Sequence, residues 1–185
     1  MSAPNFTITL HMVSSLDGRI AKPDNSIAWF ETKDHYESGV DQPGAEALTG
    51  MVDCYVMGAR TYEHALELSK KHGWPYGDVP VIVVTSREFP IERPTIELYS
   101  GDLHTLVKEL LQPRYKKVWV VGGAKLVSDF LRAGLAHEIR LPILPIILGD
   151  GKPFFERLQQ EYPLHLKEVT AFKSGMVELW YEIKR

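Results

Sequence analysis

The chain opens with strict alternation: Phe6, Ile8, Leu10 and Met12 are separated by Thr7, Thr9 and His11. A period of two puts the apolar set on one face of an extended strand. Short runs rich in β-branched and aromatic residues follow at 54–57, 81–84, 96–99 and 118–121, each bounded by Gly, Pro, Ser or Asp, and they predict buried strands. Between these runs the period lengthens. Tyr62, Ala65, Leu66 and Leu68 share a face of a helix over 61–71, as do Leu106, Val107, Leu110 and Leu111 over 103–111. Over 124–133, Leu126 pairs with Phe130 and Val127 with Leu131 at a spacing of four, and Gly134 is placed to stop the helix. The apolar run 139–148 is interrupted by Pro142 and Pro145, which predicts an irregular or edge strand because proline cannot donate to a ladder. The last segments, 164–172 and 176–183, return to alternation around Lys173-Ser174-Gly175 and predict an antiparallel hairpin. Parallel units followed by a hairpin imply a mixed sheet in one α/β domain spanning residues 1–185.

Composition narrows the partners. With 44% apolar and 24% charged residues the chain has the make-up of an ordinary globular protein. A formal charge of -3, with Lys and Arg scattered, supplies no basic field for nucleic acid or an acidic membrane, so neither is an expected partner. No run of about 18 apolar residues and no leader-like start occurs, so a cytoplasmic location is expected. The single cysteine, Cys54, sits in an apolar segment and reads as a small core residue. No metal site is expected.

Candidate chemistry lies at three strand ends. In Val118-Trp119-Val120-Val121-Gly122-Gly123-Ala124-Lys125-Leu126-Val127 an apolar run meets a glycine pair where a helix should begin. Residues without side chains let a phosphate approach the main chain, and the helix start points N–H groups and a positive dipole end at it. Such a pair is equally often a tight turn. Gly58-Ala59-Arg60-Thr61-Tyr62-Glu63 repeats the pattern with a cation and a hydroxyl, and Thr85-Ser86-Arg87 offers two hydroxyls and a guanidinium. Arg60 and Arg87, taken singly, read more readily as solvated surface residues. Open sheets bind ligands beyond the carboxyl ends of their strands, so the three ends together describe one cleft.

These three motifs resemble dihydrofolate reductases in order and spacing. The opening Val13-Ser14-Ser15-Leu16-Asp17-Gly18-Arg19-Ile20-Ala21, and the stretches 130–135 and 145–151, are similar to the reductase domain of the bifunctional riboflavin-biosynthesis deaminase-reductase. The resemblance implies a dihydrofolate-reductase-like three-layer fold and an NADPH-dependent oxidoreductase working as a homodimer. By that resemblance Gly58, Arg60 and Thr61 hold cofactor phosphates, Thr85, Ser86 and Arg87 the adenosine ribose with its 2′-phosphate, and Gly122, Gly123, Ala124 and Leu126 the pyrophosphate and nicotinamide side. Two arginines opposite a dianionic phosphate favour NADPH over NADH.

Hydride transfer also needs a proton source, and the candidates are Asp17, His11 and Asp34. Their plainer readings are a turn aspartate, a packed histidine and a surface acid. Ser14, Trp29 and Phe30 are candidates for the substrate wall, although aromatic pairs usually serve the core. Riboflavin-pathway reductases usually carry Glu where this chain has Val121, and Lys where it has His11. The expected activity is therefore reduction of a small heterocyclic or pyrimidine-like substrate. The riboflavin-pathway phosphoribosylamino-uracil is the nearest precedent, and dihydrofolate reduction or an inactive NADP-binding sensor are the alternatives.

Overall fold

The computed structural model describes residues 6–31 and 34–184; the ends of the expected 1–185 domain, residues 1–5 and 185, lie outside them. Eleven strands run in chain order: β1 Thr7–His11, β2 Ser14–Ser15, β3 Arg19–Ala21, β4 Cys54–Gly58, β5 Val81–Val84, β6 Ile96–Tyr99, β7 Lys117–Val120, β8 Glu138–Leu144, β9 Lys152–Pro153, β10 Leu164–Ala171 and β11 Val177–Ile183. The main sheet has the order β10-β11-β8-β1-β7-β4-β5-β6, with β2 added on β8, and β3 pairs with β9 separately. Only β11 opposes the common direction, pairing antiparallel with β8 and with β10. The mixed, mostly parallel sheet and the terminal hairpin are those expected.

Helices cover both faces. α1 is Ala45–Thr49, α2 is Ala59–His72, α3 covers residues 103–114, and α4 is Ala124–Arg132. Strand alternation divides the core accordingly. Ile8, Leu10, Val118 and Val120 pack with Leu106, Val107 and Leu111 of α3 and with Val127, Phe130 and Leu131 of α4. Tyr55, Met57, Val81 and Val83 face the other way, against Tyr62 of α2. Right-handed crossovers in opposite directions along the sheet put α2 on one face and α3 and α4 on the other.

Gly134 stops α4 as expected. With φ +65° it lets Leu135 N donate to Phe130 O at 3.0 Å and its own N to Leu131 O at 3.0 Å, which satisfies the last carbonyls. The middle of α3, Leu106–Leu111, is a π turn where the sequence predicts a plain helix. The expectation for 139–148 needs a larger correction: β8 is regular and interior, between β11 and β1. Pro142 is tolerated because it falls opposite the break between β1, which pairs as far as Arg140, and β2, which starts at Ile143. The ladder on that side asks nothing of its missing N–H.

Candidate functional site

The same break makes the site. β1 follows β7 only to the Leu10–Val120 pair, and His11 already pairs with Arg140 of β8. Beyond it, Ser14 and Ser15 stay with β8, whereas the chain after β7 stays with β4: Val121 N donates to Val56 O at 2.9 Å and Gly58 N to Gly122 O at 2.8 Å. The sheet therefore parts at its carboxyl edge, between residues 12–15 and 121–123.

Met12 and the glycine pair meet across this crevice. A Cβ on Gly122 would stand 2.8 Å from Met12 Sδ and 3.4 Å from Thr61 Oγ1, and the φ of +118° excludes other residues. The Gly122-Gly123 peptide is cis. A Cβ on Gly58 would lie 3.8 Å from both Gly122 O and Gly123 N. Gly58, Thr61, Gly122 and Gly123 are thus brought together as the sequence suggested. Gly58 and Gly123 are also the N-caps of α2 and α4, and neither helix start receives a side-chain cap. Both helix starts therefore begin at these glycines, beside Thr61 Oγ1 and Met12 Sδ, and uncapped first-turn N–H groups suit an anionic pyrophosphate. Ala124 opens α4, and Leu126 packs partly against the core.

The third motif lies two strands over. Thr85 N donates to Tyr99 O at 2.9 Å, and Thr85 Oγ1 accepts from Arg87 N at 2.9 Å, while Ser86 is exposed. Arg87 does not face solvent alone: Nη1 lies 3.0 Å from Glu63 Oε1 and Nη2 donates to Oε2 at 3.1 Å. Arg60 is exposed in the first turn of α2 and makes no ion pair among the described residues.

The catalytic candidates fare differently. Asp17 accepts hydrogen bonds from Ser15 Oγ at 2.7 Å, Leu148 N at 3.0 Å and Gly149 N at 2.9 Å. These hold its carboxyl down at about 2. It thereby clamps two loops together, which is the geometry of its plainer reading as a turn aspartate. His11 stacks on Trp119 with centroids 4.3 Å apart, and burial with the neighbouring Arg140 pushes it down to about 3. It stays neutral near pH 7. Asp34 sits over the β10–β11 turn, where a Cβ on Gly175 would collide with its carboxylate, on the far side of β8 from the crevice.

Ser14 is buried and donates to Ser15 O at 2.8 Å, so its hydroxyl has a partner without a substrate. Trp29 is buried edge-on to the exposed Phe30 at 4.6 Å, and its Nε1 has no partner among the described residues. His64 was not singled out by the sequence. It lies one turn beyond Thr61, with Nε2 buried and unpartnered among the described residues. The i,i+3 spacing from Thr61 was the available signal.

The family model for the RibD C-terminal domain matches residues 6–178. The chain belongs to the RibD C-terminal domain family. Among curated proteins it is 32% identical over 172 residues to the uncharacterized protein YwjB of Bacillus subtilis, covering 93% of this chain and 95% of that protein. Among solved structures it superposes with a TM-score of 0.82 on a putative riboflavin biosynthesis protein from Shewanella sp. PV-4, at 25% identity, over 97% of this chain and all of that one (100%). The deaminase/5-amino-6-(5-phosphoribosylamino)uracil reductase of Thermotoga maritima shares the fold, with a TM-score of 0.68 and 19% identity over 97% of this chain and 57% of that one. The family places the crevice and its glycines in a riboflavin-pathway reductase-like, dihydrofolate-reductase-type fold.

Proposed function

We propose that the chain is an NADPH-dependent reductase of a small nitrogen heterocycle, similar to the pyrimidine reductases of riboflavin biosynthesis, and that it works as a homodimer. The observation that supports this best is the crevice where the sheet parts, floored by Met12 and closed by Gly58, Thr61, Gly122 and Gly123. The donor set fits a dinucleotide: a cradle that a Cβ would fill, two uncapped helix starts, and the exposed Arg60 in the first turn of α2. Bound there, the cofactor supplies hydride. The starts of α2 and α4, with Gly58, Thr61, Gly122 and Gly123, would hold its pyrophosphate. The proton that the reduction also needs would come from the β1–β2 side of the parting, where His11 and Asp17 are the ionisable groups.

Titration with NADPH and NADH, followed by energy transfer from the tryptophans to the nicotinamide, tests the reading. Micromolar binding of NADPH supports it and opens a screen of pyrimidine, pterin and dihydrofolate acceptors. Binding of neither dinucleotide would reduce the three strand ends to structural turns. A second reading, an NADP-binding sensor without turnover, draws on the neutral, stacked His11 and the apolar Val121, where related reductases usually have charged groups. NADPH binding with no oxidation across the screen would favour it.

A further inference from the structure

Glu63 lies on α2, five residues past the N-cap Gly58, and its two carboxylate oxygens meet the two terminal nitrogens of Arg87 at 3.0 and 3.1 Å. Arg87 is held on its other sides as well. Its backbone N–H is bound to Thr85 Oγ1 at 2.9 Å, and its guanidinium lies 4.8 Å over the Phe89 ring. The fork that would receive a phosphate therefore already faces a carboxylate.

We infer that Glu63 sets the cofactor choice of this site: by occupying Arg87 it narrows the preference for a 2′-phosphorylated dinucleotide over NADH. The inference rests on the reading that a dinucleotide lies along this edge. A 2′-phosphate placed on Arg87 has to displace or share the Glu63 carboxylate. A free 2′-hydroxyl meets no such conflict and can donate to Glu63. The side chains are 54% and 43% exposed, so the pair is weak enough for a phosphate to break. What remains is repulsion between a dianion and a carboxylate about 5 Å away in a largely aqueous setting, which amounts to roughly tenfold in Kd at low salt. Glu63 therefore moderates the preference without excluding NADPH.

The experiment is titration of the wild type, Glu63→Gln and Arg87→Ala with NADPH and with NADH, at 50 mM and 500 mM salt, with melting curves to confirm folding. Expected are a wild-type ratio of NADPH to NADH affinity within about tenfold and a rise of about tenfold in NADPH affinity in Glu63→Gln. NADH affinity should stay level or weaken slightly in that variant, and the NADPH gain should shrink at high salt. NADPH affinity that is unchanged or lower in Glu63→Gln would overturn the inference, because Glu63 would then be only the orienting partner of Arg87. If the wild type binds neither dinucleotide, the dinucleotide reading falls and the role of Glu63 with it. Binding without the Glu63→Gln effect removes this inference alone.

Discussion

Asp17 and His11 both bear on acid sensitivity, in separate windows. The Asp17 carboxyl is held down at about 2 in the folded chain by one hydroxyl and two backbone N–H groups. A depressed carboxylate stabilises fully above its unfolded value, near 4, and the contribution is lost as pH falls through about 2. His11 is held neutral down to about 3, whereas its unfolded value lies near 6.5. The unfolded chain takes up that proton first, so stability falls with pH from about 6.5 toward 3. Melting curves from pH 8 to 2 check both assignments. His11→Gln should flatten the decline between pH 6.5 and 3, and Asp17→Asn should lower stability above pH 4 while converging on the wild type near pH 2. Parallel curves for either variant would remove its residue from this account. The sequence exposed Asp17 as a turn residue but hid its partners, because the acceptors' donors are main-chain groups of Leu148 and Gly149, 131 and 132 residues away. Main-chain donors leave no trace in residue identity. The stacking of His11 on Trp119 was hidden for a related reason: it depends on strand register, which alternation alone does not specify.

At the scale of elements, alternation and helical period were enough to find strands and helices, and the glycine strand ends were enough to find the cradle. What they did not show is that the chain leaves β7 after Leu10 while staying with β8 through β2, since a strand run reads the same whether it keeps both neighbours or loses one. The misjudged β8 follows from this: Pro142 argues for an edge only if the ladder beside it is continuous. Two glycines at the parting of the strands have different physical reasons, and substitution separates them. Gly122→Ala places a side chain at φ +118° and against Met12, so we expect a loss of about 1–3 kcal/mol together with loss of NADPH binding. Gly58 has an ordinary φ of -83° and its Cβ would meet only atoms at 3.8 Å. Gly58→Ala should keep the melting temperature within about 2 °C and lower NADPH affinity about tenfold, because the added methyl enters the cradle rather than the core. Unaltered NADPH affinity in a folded Gly58→Ala variant would place the pyrophosphate elsewhere.

In the whole molecule the two ends of the sheet are not equivalent. β10 is an eight-residue edge strand, covered at its carboxyl end where Val40 N donates to Ala171 O at 2.9 Å, and its Leu164, Leu166 and Val169 are 39%, 47% and 54% exposed. Edges of that length and character are usually blunted by charge, proline or irregularity, or else they are covered. Here the one irregularity, between Leu166 and Glu168, turns Lys167 back over Trp180 at 4.0 Å and onto Glu138 at 2.6 Å. The lysine that would guard the edge is thus drawn inward. A second copy is the partner we expect there, pairing β10 with β10 across a two-fold axis, which is self-complementary by construction. The carboxyl-edge crevice lies at the β1–β7 parting, three strands in from β10, so pairing leaves it open. Sedimentation at micromolar concentration should show a dimer, and Val169→Lys combined with Leu166→Lys should shift it to monomer while NADPH affinity stays within about threefold of the wild type. A monomeric wild type would remove the second copy from this edge, and dissociation accompanied by loss of NADPH binding would mean that the partner copy completes the site.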